Sequence, residues 1–162
     1  CNKCKNYFYQ TPNSHLRGCG CNNCTFKTEL ILYEFLKAQY KIHPQKRFEW
    51  CKNKRCLPFD FYIKELNIII ELDGPQHFIQ VGHWKSPEQE QQRDIYKMKK
   101  ALDHKISVIR ILQEDVYYDR IKWQEEIENK IQVIKQLTEP SIQYICYNNE
   151  YEKHKELYEN HE

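Results

Sequence analysis

The stretch from Pro58 to Phe78, PFDFYIKELNIIIELDGPQHF, constrains this chain more than any other. Its β-branched and aromatic runs predict two adjacent strands, residues 57–63 and 67–72, joined by a short connection at 64–66. The first strand carries Asp60, and the second ends in Glu71 and Asp73, with His77 just beyond. An apolar run such as Leu66 to Ile70 ordinarily ends in a turn, but this one ends in two carboxylates and an imidazole. That set suits a hydrolytic metal site, because hard oxygen ligands hold Mg²⁺ while a nearby base activates water.

The surrounding pattern supplies the other elements. Residues 25–40 carry Leu30, Ile31, Phe35 and Leu36 at helical spacing, with Thr28 as a candidate cap and no breaker before Pro44. Residues 45–50 read as a strand that completes a three-strand meander. A loop at 79–87, with Gly82, Trp84 and Pro87, precedes a helix at 88–104 whose apolar face is Ile95, Met98, Ala101 and Leu102. A fourth strand at 107–112, a short irregular segment at 113–118, a helix at 120–137 and an added strand at 142–147 follow. The segment 148–162 reads as a polar tail, either helical or frayed. The order helix, three strands, helix, strand, helix predicts an α/β fold with a small sheet covered by helices on both faces.

At 162 residues the chain is long enough for one catalytic-sized core and a small appendage. No apolar run approaches the roughly 18 residues that span a bilayer, and no signal-peptide pattern opens the chain, so the expected setting is intracellular with no membrane partner. A chain that opens on Cys1 without a Met reads as part of something longer, with further domains of a parent protein as expected partners. The net charge of +2 hides an asymmetry: residues 1–58 hold 11 Lys and Arg against 3 Glu, and the remainder is net acidic. Lys46, Arg47, Lys52, Lys54 and Arg55 cluster in that basic part, where they are candidates to neutralise phosphates of a nucleic acid. A plain solvated surface is the competing reading.

Eight cysteines in a chain without a secretory pattern suggest metal before disulfides. Cys1 and Cys4 form one CxxC and Cys21 and Cys24 a second, separated by the interval expected of a four-thiolate zinc site. Cys19 lies two residues before the second pair and could substitute for Cys21. A module of residues 1–24 is too small to fold by apolar burial, so structural Zn²⁺ would supply its folding energy. Cys51 and Cys56 flank a turn and read as a reduced pair facing each other across a hairpin. The intervening YFYQTPNSHLRGCGC resembles small zinc-binding repeats that precede nuclease domains in large DNA virus and phage proteins, matched at Gln10, Thr11, Pro12, His15, Leu16 and Gly18.

Residues 25–138 resemble the PD-(D/E)xK nuclease superfamily in element order and in the position of the acidic cluster. Within it the chain is most similar to the branch of the very-short-patch repair endonuclease and related phage homing endonucleases, through the ExDGxxH formed by Glu71, Asp73, Gly74 and His77. It departs from the parent pattern where Asp73 takes the place of the motif lysine. The resemblance implies Asp60 as primary metal ligand, Glu71 or Asp73 completing a Mg²⁺ (or Mn²⁺) site, His77 as general base, Asp94 as the acid orienting His77, and Glu29 assisting the metal or its waters. Glu29 and Asp94 read equally well as solvated helix residues. Lys97 reads first as solvated, with a phosphate contact or replacement of the absent lysine as the alternative; for Arg93 and Arg110 a salt bridge and a phosphate contact stand level. Phe59 and Phe61 fit a core better than a DNA wedge, the role left open for Phe78 and Trp84.

The implied function is a metal-dependent DNA endonuclease acting on double-stranded DNA, with a nuclease domain at 25–147. If the chain is viral, its setting is host cytoplasm or nucleus. The alternative is a catalytically silent DNA-binding or recruitment module, which loss of the motif lysine would suit. An RNA-directed nuclease is a third class.

Overall fold

A computed structural model describes residues 7–16, 27–78 and 86–159. The four paired cysteines of the expected zinc module, Cys1, Cys4, Cys21 and Cys24, lie outside the described residues, as do Cys19 and Trp84. Within that module only a short helix, α1 (Pro12–Leu16), is described, and the Thr11 hydroxyl before it accepts a hydrogen bond from the Ser14 N–H at 3.2 Å.

Helix α2 (Lys27–Lys37) leads into a long hairpin of β1 (Ile42–Asn53) and β2 (Arg55–Ile63), reversed at Lys54 with φ of 62°. A 3-10 turn (Lys64–Leu66) then closes through Asn67 in the left-handed conformation, which asparagine tolerates, and delivers β3 (Ile68–Asp73) antiparallel to β2. Helix α3 (Pro87–Asp103) crosses over to β4 (Ser107–Leu112), parallel to β3. Two further helices, α4 (Gln113–Tyr117) and α5 (Trp123–Gln136), lead to β5 (Ile142–Ile145), parallel to β4. The mixed sheet therefore has the order β1-β2-β3-β4-β5. Helix α6 (Glu152–Glu159) ends the described chain.

Strand alternation divides the apolar residues between two layers. Ile68, Ile70, Ile109 and Ile111 pack with Leu32 and Leu36 of α2 and with Trp123, Ile127 and Ile131 of α5. Ile69 and Val108 point the other way, onto Ile95, Met98 and Ala101 of α3. Each such side chain contributes about 1.5–3 kcal/mol by leaving water. In β2 the alternation breaks at Asp60: Phe59 packs on the α3 side and Phe61 on the opposite side, although they are two residues apart. Both are buried, as core packing required.

Several expectations are corrected here. Thr28 lies inside α2 and is fully buried, so it caps nothing; Leu36 and Leu32 anchor that helix, while Leu30 faces outward. Pro87 belongs to α3 rather than to the loop: it occupies the first turn, where its missing N–H costs nothing, behind a Ser86 cap. The irregular segment at 113–118 contains a helical turn, and α5 starts only at Trp123 because Asp119, Ile121 and Lys122 adopt positive φ. Cys51 and Cys56 do not face one another: Lys52 lies opposite Cys56, and both thiols are free. Of the helical and frayed alternatives for the polar tail the helix is found, as α6, and the tail is not wholly solvated, since Tyr151 and His154 are completely buried. Among the described residues no helix is long and apolar enough to cross a membrane.

Candidate active site

The site begins where the β2–β3 ladder stops. Pairing runs through Ile63/Ile68, Tyr62/Ile69 and Phe61/Ile70, and beyond it side chains take over from backbone. The Leu72 N–H donates to Asp60 Oδ2 at 2.8 Å, and the Asp60 N–H donates to Glu71 Oε2 at 3.2 Å. Two acidic side chains thus stand side by side at the split, each fixed by the other strand's end. They open on a cavity of about 330 Å³ that Asp60, Glu71, His77, Arg93, Asp94 and Lys97 help to line.

Helix α3 supplies the second wall. Asp94 and Lys97 are three residues apart and so share a face. Lys97 is buried, forms a close ion pair with Glu71 Oε1, and lies 4.6 Å over the Phe59 ring. The solvated reading of this lysine is therefore corrected. Asp94 Oδ2 meets His77 Nδ1 at 2.6 Å, which leaves Nε2 as the ring atom not engaged by Asp94. The histidine is delivered by a 3-10 turn (Pro75–His77), and its carbonyl accepts from Gln91 Nε2 at 3.0 Å.

Asp73 has a different environment from Glu71. Arg110 in β4 donates to both of its oxygens, Nε to Oδ2 at 2.7 Å and Nη2 to Oδ1 at 2.6 Å, and the Tyr151 hydroxyl donates to Oδ2 at 2.7 Å. The same Arg110 Nη2 lies 2.8 Å from Asp94 Oδ2, and His154 Nε2 lies 3.4 Å from that oxygen. Arg110 is consequently a buried salt-bridge residue, not a phosphate contact. His77, Asp94 and His154 present ligand atoms within 4.8 Å of one another, but the guanidinium on Asp94 already supplies the positive charge a cation would bring.

Glu29 reaches the site through an intermediary. Gln45, opposite Asp60 on β1 and in the left-handed conformation (φ 49°), donates from Nε2 to Glu29 Oε1 at 3.0 Å and to Asp60 Oδ1 at 3.3 Å. The basic residues of the hairpin lie outside the cavity. Lys52 pairs with Glu49 at 2.5 Å, Arg47 donates to the Cys56 carbonyl, Lys46 lies 5.3 Å over the Phe48 ring, and Lys54 and Arg55 sit exposed at the turn.

Charge sorts this site into two halves. On one side Asp73 and Asp94 are matched by Arg110 and His77. Burial works against the Asp94 charge, yet Arg110 and the bonds from His154 and His77 hold its carboxyl well below the usual range. Burial likewise favours a neutral His77, but the bond to Asp94 and the Asp73 charge outweigh it and raise its pKa. On the other side, among the described residues, Lys97 is the cation paired with Glu71 beside Asp60, while Arg93 in the same cavity wall pairs with Glu90. Burial, and then the Glu71 charge, push Asp60 up to about 7. Two carboxylates with one cation between them form a pocket short of positive charge, which is the donor set a hard divalent ion satisfies.

Comparison with protein-family models, with curated proteins and with solved structures returned no match.

Of the salt bridge and the phosphate contact that stood level for Arg110, the structure shows the salt bridge, whereas Gln45, Tyr151 and His154 were missed as site residues by sequence reasoning. Arg110 carried a legible signal, a lone cation in the apolar strand SVIRIL. The other three are ordinary polar residues in polar surroundings and carried none.

Proposed function

We propose that the chain is a metal-dependent phosphodiester hydrolase acting on DNA, built on a PD-(D/E)xK-type core. The observation that carries this reading is the convergence of Asp60, Glu71, Lys97 and His77 on one cavity at the β2–β3 split. Lys97, coming from α3, supports it further by bringing a cation to Glu71, a charge that could stand in for the absent motif lysine.

Asp60 and Glu71 would hold Mg²⁺, with Glu29 placed through Gln45 to steady Asp60 and assist the ion's site. When bound, the ion would polarise the scissile phosphate and make attacking water more acidic. Lys97 would offset the charge that gathers on the phosphate oxygens as the water oxygen bonds to phosphorus. His77, held by Asp94 through Nδ1, would take the proton from that water at Nε2, which lies 3.8 Å from Asp73 Oδ1, as the bond to the leaving 3′ oxygen breaks. Asp73 would act as a strut for Arg110 and Tyr151 rather than as a ligand. The four cysteines at 1, 4, 21 and 24 would hold structural Zn²⁺, and the basic hairpin would contact duplex backbone, which positions DNA without reading its sequence.

The test is conversion of supercoiled plasmid in Mg²⁺, Mn²⁺ or EDTA by the wild type, Asp60→Ala and His77→Ala. Metal-dependent nicking or linearisation that both substitutions abolish is the expected result. A folded, zinc-loaded wild type that cuts neither DNA nor RNA under any metal would refute the hydrolase and leave a binding module.

A further inference from the structure

Beside the catalytic cavity lies a larger one of about 420 Å³, between the tip of the β1–β2 hairpin and the first half of α3. Lys52 and Asn53 form the hairpin wall, and Gln89, Gln92, Arg93 and Tyr96 form the helix wall. Gln89 and Arg93, and Gln92 and Tyr96, are each four residues apart, so one broad face of the helix carries all four. The Tyr96 hydroxyl donates to the Lys52 carbonyl at 2.8 Å and fastens hairpin to helix. Arg93 lines both cavities, which places the groove directly alongside the acidic pocket.

The chemistry of the two spaces is opposite. The catalytic cavity is lined mainly by carboxylates, with Arg93 and Lys97 among them, whereas among the described residues the groove offers three side-chain amides, two cations and a phenol ring and no carboxylate. Lys52 is held by exposed Glu49, and Arg93 by Glu90 at 3.4 Å. Partly exposed pairs of this kind contribute little, so a phosphate can replace the carboxylate at small cost. Side-chain amides have both a donor and an acceptor and can match the edge of a base. The volume falls within the range of about 300–1,000 Å³ typical of small-molecule sites.

We infer that this groove holds the DNA nucleotide adjoining the scissile phosphate, its phosphate on Lys52 or Arg93 and its base edge against Asn53, Gln89 and Gln92. The inference rests on the hydrolase reading of the neighbouring cavity and deepens it: the chain would prefer particular bases at one position beside the cut.

The double variant Gln89→Ala/Gln92→Ala tests it, since both side chains are exposed and their loss leaves the fold intact. Fluorescence anisotropy without added Mg²⁺ or Mn²⁺ and without chelator, so that Zn²⁺ stays bound, reads binding of labelled duplexes without cleavage, using a panel that varies the bases around the preferred site. Wild type is expected to bind its preferred duplex about tenfold or more tighter than the variant does, and the variant's ranking of the panel is expected to flatten. Equal binding by the two proteins, no DNA binding by wild type, or preference for an RNA duplex would each overturn the inference. Cleavage in Mg²⁺ keeps the two proposals apart. Weakened binding without any cleavage keeps the groove and removes the hydrolase; cleavage with an unchanged base ranking in the variant does the reverse.

Discussion

Replacing Asp60 with Asn should make the metal-free protein more stable at pH 8, although it removes a central residue of the site. Burial and the Glu71 charge raise the Asp60 carboxyl to about 7, against about 3.9 in an unfolded chain. The folded state therefore keeps a proton that the unfolded state has released, and between pH 4 and 7 stability falls as pH rises. A gap of about three pKa units corresponds to a ceiling of about 4 kcal/mol at about 1.4 kcal/mol per unit, and partial exposure of Asp60 reduces this to roughly 2. For a domain of this size that is a rise in Tm of roughly 4–8 °C at pH 8 and almost none at pH 4.5. Asn keeps an acceptor for the Leu72 N–H, so the contact that fixes the strand end survives. Mg²⁺ should reverse the order: at 100 times its Kd it stabilises wild type by about 2.7 kcal/mol and Asp60→Asn by far less. Thermal melts across pH, with and without Mg²⁺, measure both effects. An Asn variant that melts below wild type at pH 8 without metal, or gains as much from Mg²⁺, would refute the argument that this pocket lacks a cation.

Three further substitutions probe the rest of the site. Lys97→Ala leaves Glu71 buried without its partner and should cost about 3–5 kcal/mol in urea denaturation, partly restored by Mg²⁺, while cleavage falls at least about tenfold at saturating metal. His77 must be neutral to accept a proton and its pKa is raised by Asp94, so kcat/KM should climb with pH and level off only above the ordinary histidine range, and Asp94→Asn should move that rise to lower pH while reducing the plateau. A flat profile would exclude His77 as the base. Tyr151→Phe deletes only the hydroxyl on Asp73 and should lower stability by about 1–2 kcal/mol, with cleavage held within a few-fold; a large rate loss with unchanged stability would place Tyr151 in the chemistry instead.

The central strands were legible because their residues obey one rule at a time. Residues 107–112, apolar but for Ser107 and Arg110, form a doubly covered parallel strand with those bounds, while the β-branched and aromatic runs within 57–73 form two strands that end in acids. What the sequence concealed was determined by tertiary partners. Leu30 has helical spacing yet faces water, because Leu32 and Leu36 are the residues that meet the sheet. Lys97 resembles any helix lysine until Glu71, 26 positions earlier in the chain, is brought against it. Nothing in NNEYEKHKELYE distinguishes Tyr151 and His154 from their solvated neighbours, since their burial follows from where α6 meets Asp73 and Asp94.

Sequence spacing left open whether Glu71 or Asp73 accompanies Asp60, because both follow the same apolar run at the same strand parity. Register separates them. Glu71 sits beside Asp60 at the end of the β2–β3 ladder, where the backbone stops using its neighbours and a carboxylate can face the cavity. Asp73, two residues on, extends past that end into the reach of Arg110, whose planar fork engages both carboxylate oxygens. A metal drawn to Asp73 would have to displace a fully buried guanidinium, leave that charge unpaired, and free Asp94 from the contact that helps hold His77. Asp73→Asn should accordingly weaken stability through Arg110 and disturb the pH profile through His77 while leaving the apparent Mg²⁺ affinity within a few-fold of wild type. A rise of a hundredfold or more in the Mg²⁺ concentration needed for cleavage, with the pH profile unchanged, would instead make Asp73 a ligand.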